Sequence, residues 1–372
     1  MRRPLLRLKG TSKWPVTRLT CLLLILLPCV AEAERLPLKP YTVADGLPSN
    51  VINKIVHDSR GFLWFCTAEG LALFDGYRFI NYGTAEGLPH PNITDILETS
   101  TGDYWVATGS GLCKFNPKGV PGSQVSYAKD ALADPLHNPM FTVFTPEGED
   151  PYTRSVTTLL EGRDGTIWCG TRRGLFRLAQ TDRRRALILV DVGLPTDYPL
   201  SGLIDALVED RHGTLWVGAA TGLYRRWPDG TTARYSTQDG LPDENLHDLL
   251  EDRLGNLWVA TRLGGLFRLA TTAGHERPII TRAYNHKNAL MSDWVFDLHE
   301  SSDGRLWAGT NYGLVEFPLG DESQRGPSHV YTEKRLHLSR DHECDGRPGG
   351  QPLAWLDQRR NEGRPQRLSH LW

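Results

Sequence analysis

The sequence offers little that could perform covalent chemistry. Its 12 histidines include no His-Glu-x-x-His or His-x-x-Glu-His spacing, and its 6 cysteines form no close pair, so zinc is unsupported. There is no Gly-x-Ser-x-Gly elbow and no phosphate-cradling glycine loop, so nothing points to a hydrolase nucleophile, a nucleotide or any other cofactor. Methionine is scarce, at 3 of 372 residues. Basic charge is not in excess, with 42 Lys and Arg against 44 Asp and Glu, which argues against nucleic acid or an anionic membrane surface as a partner. The apolar run 21–30 (CLLLILLPCV) has ten residues, too few for a bilayer span of roughly twenty.

What stands in residues 1–33 is an export signal. Arg2, Arg3, Arg7, Lys9, Lys13 and Arg18 form a basic leader, the apolar run follows, and Ala31-Glu32-Ala33 reads as a small-x-small cleavage site. An uncleaved anchor is the alternative, and membrane contact is expected through this leader alone. Pro28 before Cys29 suits a lipidation signal poorly. Removing six bases and one acid with the leader takes the formal charge from −2 to −7. Cys66, Cys113 and Cys169 then read as small apolar fillers, with Cys66 and Cys169 on opposite strand faces, and not as a disulfide framework.

What is abundant is tryptophan in a fixed frame. Trp64, Trp105, Trp168, Trp216, Trp258 and Trp307 each follow a glycine by three residues: Gly61, Gly102, Gly165, Gly213, Gly255 and Gly304. A Gly-Leu pair follows six residues after the Trp in five units and one residue later in the fifth, at Gly265-Leu266. A spacing of 41 to 63 residues with a constant inner motif is a repeat architecture.

Each unit reads as four short strands. An apolar run such as Ile204 to Glu209 suits a strand covered on both faces. A turn such as Asp210-Arg-His-Gly213 follows, opened by the Asp side chain and closed by a glycine at positive φ. The Trp run, the Gly-Leu run and a run ending in an aromatic complete the unit, and a Gly-Leu-Pro loop leads to the next. Four antiparallel strands per repeat make one propeller blade. An indole between blades buries about 150–250 Å², so the six Trp are expected to be interblade packing. The acid four residues before the glycine (Glu98, Glu161, Glu209, Glu251, Glu300, with His57 in the first unit) reads as a turn or strand-end hydrogen-bond acceptor. The expected fold is thus all-β, a β-propeller with six recognisable four-stranded blades over 34–335, in a seven-bladed ring whose last blade is incomplete.

The succession Asp-Gly-Leu-Pro, apolar strand, Glu-Asp-x-x-Gly-x-Leu-Trp and Gly-Leu resembles the two-component regulator propeller repeat, most closely over 207–223 (LVEDRHGTLWVGAATGL) and 249–266. The resemblance covers about residues 41 to 335. It implies the periplasmic or otherwise extracytoplasmic sensor region of a bacterial signalling receptor. In that family an Ig-like domain, a membrane helix and a cytoplasmic output domain usually follow. None of these is recognisable here, so the chain reads as truncated and without an output of its own. Segment 38–47 (LKPYTVADGL) reads as a fourth strand that would close a ring from the other terminus. Residues 336–372 contain no Val, Ile, Phe, Tyr, Thr or Lys and cannot supply strands with a buried face, so they read as a divergent, disordered tail, a natural polar tail being the alternative. Such an open ring is expected to leave faces of blades one and six uncovered. The long gap from Trp105 to Trp168 is read as an insertion in blade three, with 117–139 as an exposed loop, flexible filler or a binding element.

Propellers bind at the mouth of the central channel. The converging loops place Asn50, Asn92, Arg154, Asn245, Asp293 and Trp294 there, with Tyr198 and His247 as neighbours. Stacking surfaces with planar hydrogen-bonding groups suit a small polar ligand such as a carbohydrate. The function expected is exported ligand sensing, in concert with a receptor or signalling partner. The alternative is a propeller enzyme acting on glycans, lyase- or sialidase-like. It would require His247, Arg154 and a carboxylate within hydrogen-bond reach of one cavity. The turn Ser301-Ser-Asp-Gly-Arg-Leu-Trp307 resembles the Asp-box turn of sialidases, but the other five turns do not share it.

Overall fold

The computed structural model describes residues 39–122, 125–128, 138–147, 150–180, 185–195, 201–318 and 327–330. The export signal at 1–33, the tail at 336–372 and Tyr198 lie outside these residues.

Six sheets follow one another along the chain, each with four antiparallel strands ordered as they occur, the second carrying one further strand at its edge. Blade 1 comprises Ile52–His57, Leu63–Thr67, Gly70–Phe74 and Phe79–Tyr82. Blade 2 comprises Ile93–Glu98, Tyr104–Thr108, Gly111–Phe115 and Phe141–Phe144, with a short fifth strand, Ser126–Tyr127, parallel to the last. Blade 3 comprises Val156–Glu161, Ile167–Thr171, Gly174–Gln180 and Arg185–Val190. Blade 4 comprises Ile204–Glu209, Leu215–Ala219, Gly222–Arg226 and Thr232–Tyr235, and blade 5 Leu246–Glu251, Asn256–Thr261, Leu266–Ala270 and Ile279–Tyr284. Blade 6 comprises Val295–Glu300, Arg305–Thr310, Gly313–Pro318 and Ser328–Val330. The architecture is the expected β-propeller.

The long insertion belongs to blade 2, not to blade 3. It joins the third and fourth strands of that blade, where Val120 bridges Pro139 and Ser126–Tyr127 adds to the outer edge. The spacing between successive tryptophans could not distinguish these places, because both fall between Trp105 and Trp168. The expected closing strand at 38–47 is also corrected. Residues 39–42 are not in a strand, and Val43–Asp45 forms a 3₁₀ turn capped by Thr42.

Five of the six indoles are wedges between successive blades, as expected, and the sixth, Trp307, is buried with no described blade after it. Trp64, Trp105, Trp168, Trp216, Trp258 and Trp307 are at most 8% exposed. Trp64 packs on Ile93, Ile96, Val106 and Phe115 of blade 2, and Trp216 on Leu246, Leu249, Val259 and Phe267 of blade 5. Trp105, Trp168 and Trp258 pack on the following blade in the same way. The second strand of blades 1 to 4 is buried at every position, and in blades 2 to 4 a sheet lies against each of its faces.

Among the described residues the innermost strands pack in order from blade 1 to blade 6, and the sixth does not pack on the first as the others do on their neighbours. Even so, the outer faces of the terminal blades are not laid open as expected. Leu63, Phe65, Ala72 and Phe74 of blade 1 are buried, and Tyr41 sets its ring edge against Phe74 and Phe79. Trp307 of blade 6 is buried, while Leu314 is half-buried where its counterparts Leu71, Leu112, Leu175, Leu223 and Leu266 are fully buried.

Two polar systems tie the blades. In the turns, Asp58, Asp210 and Asp252 are buried, and one oxygen of each accepts two turn N–H groups. The other oxygen accepts the indole N–H of the wedge, at 3.1 Å from Trp64 and 2.8 Å from both Trp216 and Trp258. The closing glycines stand at positive φ, 91° at Gly61 and 75° at Gly213. The acid four residues before the glycine is an acceptor, but for the preceding blade. Glu98 accepts the N–H and hydroxyl of Ser59, Glu161 those of Ser100, and Glu209, Glu251 and Glu300 bind Arg163, Arg211 and Arg253. His57, the exception, is in the first blade, which has no described blade before it.

Candidate functional site: the channel mouth over blades 4 to 6

In every blade the innermost strand slips register after its first residue: Ile52/Lys54, Ile93/Asp95, Val156/Thr158, Ile204/Ala206, Leu246/Asp248 and Val295/Asp297. Such a bulge leaves one residue out of the ladder and re-aims its side chain. The six bulge residues are Asn53, Thr94, Thr157, Asp205, His247 and Phe296.

In blades 1 to 3 this residue stitches the ring together. Asn53 donates to the Ile93 carbonyl at 2.6 Å, Thr94 to that of Val156 at 2.7 Å, and Thr157 to that of Ile204. In blades 4 to 6 the stitch stops. A carboxylate cannot donate and a phenyl ring has no donor. Among the described residues, Asp205, His247 and Phe296 make no such bond. The bulge side chains of blades 4 to 6 therefore carry no interblade hydrogen bond among the described residues.

The hairpin between the second and third strands opens on the same side. Its tip residues are Ala68, Gly109, Arg172, Ala220, Arg262 and Asn311. In the first five blades their N–H groups bond back to the carbonyl two positions before the bulge residue, as Arg262 does to Asn245 at 3.0 Å. The arginines and the asparagine thus stand beside the bulges of blades 3, 5 and 6.

Over blades 5 and 6 these groups form an aromatic cluster. The His247 ring stacks on Phe296, with centroids 5.9 Å apart at 21°. Trp294 lies 5.0 Å from Phe296 and 6.4 Å from His247. The Arg262 guanidinium sits 5.4 Å from the Trp294 ring. Burial and then Arg262 push the His247 pKa down to about 4 against the opposing pull of Asp243, so the imidazole is neutral at pH 7. The Val295–Thr310 pairing sets Trp294 opposite Asn311. The Trp294 Nε1 donor and the Asn311 Oδ1 acceptor are both buried without a hydrogen-bond partner. Each such group costs about 1–3 kcal/mol unless something bonds to it. Leu263, Met291 and Tyr312 are exposed on the neighbouring loops, at 72%, 48% and 65%.

Beneath the mouth the hub is charged. The Lys54 ammonium lies 2.8 Å from Asp95, which also accepts the Leu159 N–H at 2.9 Å. Burial opposes the Lys54 charge, but Asp95, aided by Asp248 and Asp297, holds its pKa above the usual value. Asp248 accepts the Leu298 N–H at 2.7 Å, and burial pushes the carboxyls of Asp248 and Asp297 upward. Asp205 is raised to about 6 by burial, with Arg172 opposing.

Of the residues read from sequence, the structure brings Trp294 and His247 together, with Asn245 on the adjoining strand pair. Asn50 and Asp293 instead close their own loops, accepting the N–H of the residue seven earlier, Val43 and His286, as Glu244 does for Thr237. Asn92 accepts from Asn53 at 2.9 Å in the stitched half, and Arg154 ends the helical turn Pro151–Arg154. Phe296, Arg262 and Asn311 were not singled out. The signal that finds them is the change from Asn, Thr, Thr to Asp, His, Phe at the bulge position. Among the described residues, no hydrogen bond joins His247 to Arg154 or to a carboxylate.

This geometry defines the chain as a β-propeller with an uncommitted half-mouth. Residues 46–69, 87–110, 240–262 and 289–312 match the two component regulator propeller family. Each matched segment runs from the loop before a blade (Gly-Leu in three, Ala289-Leu290 in the fourth) through the innermost strand to the Trp strand, in blades 1, 2, 5 and 6. In these four segments the chain is similar to the repeat of that family. No curated protein matches it in sequence. Among solved structures, it is similar to the extracellular domain of a hybrid two component system from B. thetaiotaomicron, with a TM-score of 0.59 and 18% identity over 77% of this chain and 34% of that one. It therefore spans about a third of that relative's length. It is also similar to virginiamycin B lyase from Staphylococcus aureus, with a TM-score of 0.55 and 12% identity over 77% of this chain and 85% of that one. At these identities the likeness concerns the fold, and a sensor domain and a lyase share it. Among the described residues no helix is long and apolar enough to cross a membrane.

Proposed function

We propose that this chain is an exported, ligand-sensing propeller of two-component type, which holds a small polar ligand at the mouth over blades 5 and 6 and performs no chemistry on it. The observation that carries this reading is the buried, unpartnered pair of Trp294 Nε1 and Asn311 Oδ1, beside stacked rings at bulge positions freed from stitching. The repeat family and the likeness to an extracellular receptor domain favour an extracytoplasmic location and a response carried by a signalling partner.

The test is a thermal-shift and calorimetric screen of the full chain against neutral and acidic oligosaccharides, with product analysis by chromatography. A ligand at a hundredfold excess over its Kd should stabilise the fold by about 2.7 kcal/mol. Trp294→Ala should remove that shift while leaving the unliganded melting temperature nearly unchanged. Ligand turnover by the protein would overturn the non-enzymatic reading. A screen in which no ligand depends on Trp294 would overturn the site.

A further inference from the structure

The two arginines at the mouth are held differently. Arg172 has Asp205 near enough to pull that carboxyl's pKa downward. Arg262 has no ion pair among the described residues, and its guanidinium N–H groups donate to no described acceptor. The acid beside it on the same side of the mouth, Asp243, is already occupied: one oxygen accepts the Asn245 N–H at 3.2 Å and the other the Leu263 N–H at 2.7 Å. A guanidinium stacked over an indole keeps its charge and presents a planar fork suited to a carboxylate.

Trp294 Nε1–H can only donate and Asn311 Oδ1 can only accept. A hydroxyl has the chemistry to serve both, accepting from the indole N–H and donating to the amide oxygen. The stacked His247–Phe296 pair adds a flat apolar surface, and the neutral imidazole does not add a second cation to it.

We infer that this cluster of side chains takes a hydroxylated six-membered ring bearing a carboxylate, with the acid on Arg262, a ring hydroxyl at Trp294 and Asn311, and the ring face against the aromatic rings. The inference rests on the binding function proposed above and narrows its ligand. A sugar acid and a phenolic acid share this chemistry.

The experiment is calorimetry on the full chain with D-galacturonate, D-glucuronate and 4-hydroxybenzoate, each beside its uncharged counterpart: galactose, glucose and phenol. At least one acid should bind, and its uncharged counterpart should bind ten- to a hundredfold more weakly, the range expected for one charge-assisted hydrogen bond. Arg262→Gln should weaken the acid by the same factor and leave the neutral compound unaffected, while Arg172→Gln should leave both unchanged. The arm that responds, sugar acid or phenolic acid, identifies the source. Equal binding of acid and neutral compound, or an Arg262→Gln variant that binds the acid normally, overturns the carboxylate assignment while the binding function stands. If neither charged nor neutral ligand binds in a Trp294-dependent way, both readings fall together.

Discussion

Replacing Asp210 by alanine tests how the wedges are held. Asp210 is fully buried and receives three N–H groups: His212 at 2.9 Å, Thr214 at 3.0 Å and the Trp216 indole at 2.8 Å. Trp216 is itself 0% exposed, so its Nε1 donor has no route to water once the carboxylate is gone. A buried donor left unsatisfied costs about 1–3 kcal/mol, and losing the two turn bonds adds about 1 kcal/mol each, giving a destabilisation of about 3–5 kcal/mol. Asp210→Asn keeps one acceptor oxygen for the turn but sets an amide donor against the indole, and should cost about 1–3 kcal/mol. Urea denaturation of the full chain, followed by tryptophan emission, should show the midpoint falling in the order wild type, Asn, Ala at unchanged slope. The family of turns supplies its own contrast. Gly162 occupies the same place in blade 3, where an added Cβ would stand 3.0 Å from Trp168 Nε1 and 2.9 Å from the Glu209 carboxylate, so a side chain there would require Glu209 to move. A cost below 1 kcal/mol for Asp210→Ala would mean that the indole is held by shape alone, and the reasoning about the buried carboxylate would be wrong.

Two further outcomes follow from the same accounting of buried polar groups. Arg225 is 0% exposed, lies between Trp216 and Trp227 at 4.7 and 4.4 Å, and donates to the carbonyls of Thr272 and Glu276 in the loop of the next blade. Arg225→Ala should cost about 3–5 kcal/mol and raise amide exchange over 271–278, whereas exchange there that matches the wild type would refute the clasp. Asp205 has a folded pKa raised from 3.8 to about 6, so its contribution to stability is fully present below pH 3.8 and is lost as the pH rises through about 6. Asp205→Asn should therefore gain about 1–3 kcal/mol at pH 7 and nothing at pH 3.5, and a gain independent of pH in that window would contradict the assignment.

The binding half of the mouth was only partly legible in the sequence. Trp294 and His247 could be found because aromatic and imidazole side chains stand out at loop positions. Asn50 and Asp293 shared the same loop positions but serve their own turns, as local acceptors for Val43 and His286. Arg262, Phe296 and Asn311 become neighbours of Trp294 only when the bulge of blade 6 and the hairpin tips of blades 5 and 6 are brought to one side of the hub. The carboxylates before the turn glycines show the same division. Their role as acceptors was readable, but their donors lie in another blade, 39 residues away for Ser59 and Glu98 and 61 for Ser100 and Glu161.

What the sequence determined by itself is the blade: where its strands begin, where glycine permits the turn, and that an indole is buried beside each sheet. Those features depend on residues within about fifteen positions of one another, and short-range sterics and alternating burial specify them wherever the unit is placed. Only the tertiary structure decided which blade received the insertion, which carboxylate binds which neighbour, and which side of the hub is free to meet a ligand. Those relations join residues some forty to sixty positions apart. They arise when successive sheets are stacked face to face around a common centre, where a residue's use is set by the blade beside it.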